Sequence, residues 1–273
     1  MIRLATLLAV FAAMPVFAAA DLTLEGRVEQ GGLVIGKVLP GSQVMVGTRA
    51  VPVTPGGKFF VGLDRDAPTA VDIDIIAPDG GRETRALKVA PRQWKIEKVD
   101  GVPQKLVTPD PETEARIAED NKLMRAARAQ LELTSFYESG LVRPAQGRIS
   151  GVFGSQRVLN GTPRAFHAGL DIAGPVGTPV HAAADGIVAL QKENMVMTGD
   201  TVVLNHGYGL QTTYIHMSKI LVTDGERVKQ GDVIGEIGMT GRANGPHLHF
   251  GVTWFDTRLD PETVFEALPP PGN

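Results

Sequence analysis

Residues 245–253 read Gly245-Pro246-His247-Leu248-His249-Phe250-Gly251-Val252-Thr253, and the part from His247 onward has the composition of a β-strand. On a strand, residues two apart project from the same face, so His247 and His249 can address one site. Outward from this stretch, the chain from about Arg148 is glycine-rich and β-like. Further strands are expected over 178–181, 186–191, 201–205, 211–216 and 233–237. Asn205-His206-Gly207 reads as a hairpin turn. This half carries all six histidines of the chain. Asp260-Pro261-Glu262 is a helix-start signal, and Pro269-Pro270-Pro271 reads as a structureless tail.

The N-terminal half has a different texture. Short β-like pieces at 22–28, 33–38, 42–46, 58–61, 71–76 and 84–89 are separated by turn signals at Pro40-Gly41, Pro55-Gly56-Gly57 and Asp79-Gly80-Gly81. That spacing predicts a small β-sandwich over 21–102. No cluster of histidine and carboxylate occurs there, so a spacer or docking module is expected rather than a second active site. A linker with a helix follows over 103–146. Asp110 is placed as its N-cap, Pro111 at the first helical position and Glu112 at the positive helix end. Ile117, Met124, Ala127 and Leu131 recur at helical spacing, a stripe expected to pack on a neighbouring domain. The helix is expected to fade before Gly140, and Pro144 with Gly147 marks the start of a C-terminal domain over 147–273.

Composition excludes several classes of function. A net charge of −3, with no basic stripe, argues against nucleic acid as a partner. The absence of cysteine removes disulfides, thiolate metal ligands, a lipid-anchoring cysteine and a cysteine nucleophile, so any metal must sit on histidine and carboxylate. Met1-Ile2-Arg3, the apolar run 4–17 and Ala18-Ala19-Ala20 together read as a secretory signal peptide over 1–20, cleaved near Asp21. No later stretch approaches the length of a membrane span, so the mature protein is expected to be exported without a transmembrane segment.

His167-Ala168-Gly169-Leu170-Asp171 adds a nitrogen and an oxygen ligand around a glycine-containing bend. Three protein ligands of this kind, with a fourth position left to water, are what a catalytic zinc requires, whereas a closed structural site uses four. Either segment alone is a weak signal. Jointly and in order, Gly151-Val152-Phe153-Gly154, His167 to Asp171, Gly177-Thr178-Pro179-Val180, Tyr214-Ile215-His216, Gly235-Glu236-Ile237-Gly238, and Thr240-Gly241 leading to His247-Leu248-His249 are specific. By them the C-terminal half resembles the M23 metallopeptidases, the lysostaphin and LytM-like family.

The resemblance implies a mainly β chain, with an antiparallel peptidase domain whose open groove carries one Zn2+. It implies zinc ligands at His167, Asp171 and His249, and catalytic histidines at His216 and His247 that assist proton transfer and hold the developing oxyanion. His181 and His206 fall where the family places no ligand and are expected to be structural. Arg157 and Asn160 resemble a family stretch that lines the groove or braces a loop. The implied activity is hydrolysis of peptide cross-links between peptidoglycan stems, in the periplasm, with D-alanyl to meso-diaminopimelyl bonds favoured. Some relatives have lost zinc ligands and activate a separate amidase instead. This chain keeps every ligand and both assisting histidines. A protein regulator acting through the N-terminal domain is compatible with either reading.

Overall fold

The computed structural model describes residues 22–99, 110–159 and 161–272; the leader read at 1–20 and Asn160 lie outside them. Strands β1 (Thr23–Gly26), β2 (Leu33–Lys37), β3 (Gln43–Val46), β4 (Arg49–Val51), β5 (Lys58–Gly62), β6 (Ala70–Ile76), β7 (Arg82–Lys88) and β8 (Ile96–Val99) precede helix α1 (Pro111–Arg128). After a 3-10 turn at Phe136–Ser139 come β9 (Arg148–Gly151), β10 (Gln156–Leu159), β11 (Thr162–Pro163), β12 (Leu170–Ala173), β13 (Pro179–His181), β14 (Gly186–Met195) and β15 (Gly199–Gly207). Then follow β16 (Leu210–Ile220), β17 (Arg227–Val228), β18 (Val233–Ile237), β19 (His247–Trp254), β20 (Thr257–Leu259) and helix α2 (Pro261–Ala267).

The N-terminal region forms two antiparallel sheets, β1-β2-β5 and β4-β3-β6-β7. In β5, Phe59, Phe60 and Val61 are buried in succession rather than alternately, because both faces are covered. Phe60 meets Tyr137 edge-on at 4.7 Å, so this strand touches the linker as well as its own sheet. The C-terminal region is built on one large sheet with the main order β17-β14-β15-β16-β19-β12-β9, in which β16 also pairs with β18, while β10 and β11 join β8 in a separate three-stranded sheet. Tyr214 and Phe250, directly opposite one another on β16 and β19, are fully buried on the face opposite to His249. One continuous apolar core runs through both regions, from Leu33 and Phe59 to Tyr214, Phe250 and Trp254.

The helix signals sit where the sequence places them. The Asp110 carboxylate accepts from the Thr113 N–H at 2.9 Å, and Asp260 likewise accepts from Glu262 at 3.1 Å at the start of α2. Met124 and Ala127 pack on Ala189, Leu190, Met195 and Val203, so the stripe docks α1 against β14 and β15. Leu131 departs from expectation. The helix stops at Arg128, and Leu131 stands 56% exposed beyond it.

A second correction concerns Asn205-His206-Gly207, which belongs to β15. The turn is Tyr208-Gly209, with φ of 53° and 83°, the geometry of a two-residue hairpin loop that continues the strand twist. His206 is wholly buried between the Asp185 carbonyl (2.6 Å) and the Thr212 hydroxyl (2.7 Å), and burial pushes its pKa down to about 4. The unfolded chain, with histidine near its ordinary 6.5, binds this proton first. The stabilisation is therefore complete above 6.5 and lost as pH falls through about 4. Urea titrations between pH 7 and 4 should show His206→Gln flattening the acid limb by ~3 kcal/mol. An unchanged limb would mean other groups set it.

Candidate metal centre

Pairing register assembles the site. In the β12–β19 ladder Asp171 stands opposite His249, and in the β16–β19 ladder His249 stands opposite Ile215. Asp171, His249 and, two residues away, His247 therefore share one face of the sheet. His167 arrives from the loop before β12, and the 152–155 loop holds it. Its N–H donates to the Ser155 carbonyl at 2.7 Å, its carbonyl accepts from Gly154 at 2.8 Å, and its ring Nδ1–H donates to the Val152 carbonyl at 2.9 Å. That last bond fixes the tautomer and turns Nε2 inward.

Three donor atoms then meet at one point. His167 Nε2 is 2.9 Å from Asp171 Oδ1 and 2.9 Å from His249 Nδ1, and His249 Nδ1 is 2.8 Å from Asp171 Oδ1. Among the described residues these three form the group that could hold a metal ion. Burial alone would raise the Asp171 pKa, but hydrogen bonds and charge from His167 and His249 outweigh it and hold the carboxyl well below its usual range. Burial lowers His249; at His167 the bond to Asp171 overcomes burial and raises the pKa.

His216 should by strand parity point away from the groove, since its neighbour Ile215 faces His249 and residues alternate. It does not, because its backbone is left-handed, with φ 65°, beside a shift in the β15–β16 register. This irregularity re-aims the side chain, at a backbone cost of order 1–3 kcal/mol that the surrounding sheet sustains. The His216 ring lies 4.9 Å from that of His247 and 6.4 Å from that of His249. Nδ1–H of His216 donates to the Thr240 carbonyl and that of His247 to the Gly245 carbonyl, each at 2.8 Å, leaving both Nε2 atoms uncommitted by those bonds. Thr240 is itself held, its hydroxyl donating to the Met217 carbonyl at 2.7 Å and accepting from the Asp200 N–H at 2.9 Å. Burial, reinforced by His247 and His249, lowers His216 to about 4.

Two glycines are required by close approach. A Cβ on Gly169 would lie 2.3 Å from the Phe250 carbonyl oxygen and 2.8 Å from His249 Nε2, and one on Gly151 2.3 Å from Asp171 Oδ2. Gly169→Ala should displace the His249 ring and weaken any metal binding at this point by about 100-fold in a chelator competition. Wild-type affinity would show that the ring tolerates the methyl group.

The N-terminal region reaches the same loop. Arg65, buried to 6% exposure, donates from Nε to the Gly154 carbonyl at 2.9 Å and lies 5.1 Å over Phe166, while the Trp94 ring packs on the bare Cα of Gly154. Of the two roles expected for this region, spacer or docking module, these contacts are of the docking kind. These contacts brace the segment that carries His167. Sequence reasoning missed Arg65 and Thr240, whose roles exist only through contacts distant in the chain; Trp94, one of two tryptophans, was the readable hint. His181, bonded to the Gly231 carbonyl, and His206 join no donor cluster among the described residues. Arg157 lies in β10, which pairs in parallel with β8.

Residues 165–261 match the family model described as Peptidase family M23. Peptidoglycan DD-endopeptidase ShyA of Vibrio cholerae is 46% identical over 104 residues, 38% of this chain and 24% of the relative. DD-carboxypeptidase/endopeptidase Mpg of Neisseria meningitidis is 41% identical over 106 residues, 39% of this chain and 24% of the relative. Cell division protein DipM of Caulobacter vibrioides is 33% identical over 213 residues, 78% of this chain and 32% of the relative. The chain thus spans about a quarter to a third of the length of these relatives. Among solved structures, a putative peptidase M23 from Pseudomonas aeruginosa superposes with a TM-score of 0.69 at 27% identity, covering 89% of this chain and 96% of that one.

Proposed function

We propose, from the match of residues 165–261 to peptidase family M23, that the chain is an exported zinc peptidase that hydrolyses peptide cross-links of bacterial peptidoglycan. The carrying observation is the convergence of His167, Asp171 and His249 on one point, with His216 turned out of strand parity to face them. Two imidazole nitrogens and one carboxylate oxygen are the donor set of a catalytic zinc rather than a closed structural one. His167, Asp171 and His249 would hold the ion. Zinc, when bound, supplies Lewis acidity toward a scissile carbonyl and makes a hydrolytic water acidic enough to ionise near neutral pH.

The remaining work falls to this chain's own groups. His216 and His247 present Nε2 toward the site, where they take a proton from the attacking water, return one to the leaving amine and stabilise the oxygen charge between. The Thr240 and Gly245 carbonyls keep both rings in the tautomer with Nε2 unprotonated. The peptidoglycan assignment, and within it the D-alanyl to meso-diaminopimelyl bond, draws support from the names of the endopeptidase relatives and from the leader signal. The reading as a non-hydrolytic amidase activator is disfavoured by the complete residue set.

Digestion of isolated sacculi and soluble cross-linked dimers by zinc-loaded protein, read by mass spectrometry, tests this. Dimers should gain one water and fall to monomers, with activity abolished by chelation and restored by zinc. Dimers left intact at stoichiometric zinc would contradict the proposal.

A further inference from the structure

A cavity of about 130 Å³ opens beside His249 on the groove floor. Its floor continues the His249 face through Thr213, Gly251 and Thr253, and Met124 of α1 roofs it. Two arginines line it. Arg128 ends α1, and Arg258 of β20 stands directly opposite Thr253.

Two polar atoms lining this cavity lack partners. Arg128 Nε and Thr253 Oγ1 are shut off from solvent and have no hydrogen-bond partner. Neither arginine has a carboxylate within ion-pairing distance among the described residues. The Asp256 side chain, which lies close enough to influence Arg128, is already paired with Arg49. Arg258 also rests 5.8 Å from the Phe166 ring. Two like charges held near each other, one with a buried unpaired N–H, carry a cost that an anion joining them would relieve. Paired guanidinium forks with a hydroxyl alongside match a carboxylate.

We infer that Arg128 and Arg258 form a subsite for the free carboxylate next to the scissile nitrogen of the substrate. This rests on the reading of the chain as a cross-link peptidase. In a D-alanyl to diaminopimelyl link, the carbon bonded to the scissile nitrogen also carries an unblocked carboxylate. In a bond inside a peptide chain, the same carbon carries an amide carbonyl. A cationic cavity adjoining the metal ligand therefore selects the first kind of bond, by placing two positive charges where only that substrate has a negative one.

The test compares a soluble cross-linked dimer bearing this carboxylate with the same dimer carrying a carboxamide, using the full zinc-loaded chain. Wild type should favour the acid by about 100-fold or more in kcat/KM. Arg128→Gln and Arg258→Gln should each cut that ratio at least tenfold, and the lysine variants should recover part of it. Equal cleavage of acid and amide by wild type, or an undiminished ratio in folded glutamine variants, overturns the subsite. A calorimetric titration with N-acetyl-D-alanine and its amide separates this from the peptidase reading. Binding selective for the acid and lost in Arg128→Gln, without cleavage of either dimer, would support the subsite and sink the peptidase. Cleavage without acid selectivity would do the reverse.

Discussion

Alanine in place of His216 is expected to leave one zinc per chain and to lower kcat/KM on cross-linked dimers by about 1,000-fold, whereas His249→Ala should lose both metal and activity. The difference follows from position. His249 Nδ1 is one of three atoms converging on the proposed metal point, while His216 stands beside them with its Nδ1 tied to Thr240. Alanine at 216 inherits the same left-handed backbone, so the substitution adds little new strain there. Metal content by mass spectrometry and steady-state kinetics decide the matter. Loss of zinc from His216→Ala would show that it ligates rather than assists.

Trp254→Ala should lower stability by about 3 kcal/mol, near the low end for a large buried aromatic, with a fall in Tm of roughly 10 °C. The ring is 3% exposed at the junction of the two regions, and a Cβ on Gly62 of β5 would come within 2.8 Å of it. The low end applies because the indole N–H is buried without an acceptor and is no loss. Since a single core runs through both regions, calorimetry should still record one transition. A change below 1 kcal/mol, or a split into two transitions, would mean that the N-terminal sheets fold independently.

Short-range chemistry was the legible part of this fold. Asp110-Pro111 and Asp260-Pro261 announced both helices because capping depends on a few adjacent residues. Pieces such as 33–38 and 71–76 fell on β2 and β6, where runs of branched apolar residues lie between turn signals. Strand β4, only Arg49–Val51, and β8, whose Ile96 is 52% exposed, were missed because they owe their form to a neighbouring strand. The hairpin was misplaced for a related reason: Tyr208 takes a positive φ that its side chain does not advertise, while Asn205 and Gly207 do.

At the site, residue types and order were readable, but their direction was not. The two-residue repeat of His247 and His249 follows from the pleat. Nothing in Tyr214-Ile215-His216 reveals that the third residue reverses its face, because that depends on the register shift with β15. The parts played by Arg65, Thr240, Arg128 and Arg258 likewise come from contacts between segments remote in sequence.

The central claim is that five side chains serve one hydrolytic metal. Anomalous diffraction at the zinc edge from a zinc-loaded crystal tests it most directly. A single peak within about 2.0–2.2 Å of His167 Nε2, His249 Nδ1 and an Asp171 carboxylate oxygen is expected, with His216 and His247 near but unbound. A peak elsewhere, or zinc closed off by four protein ligands including His216 or His247, would contradict it.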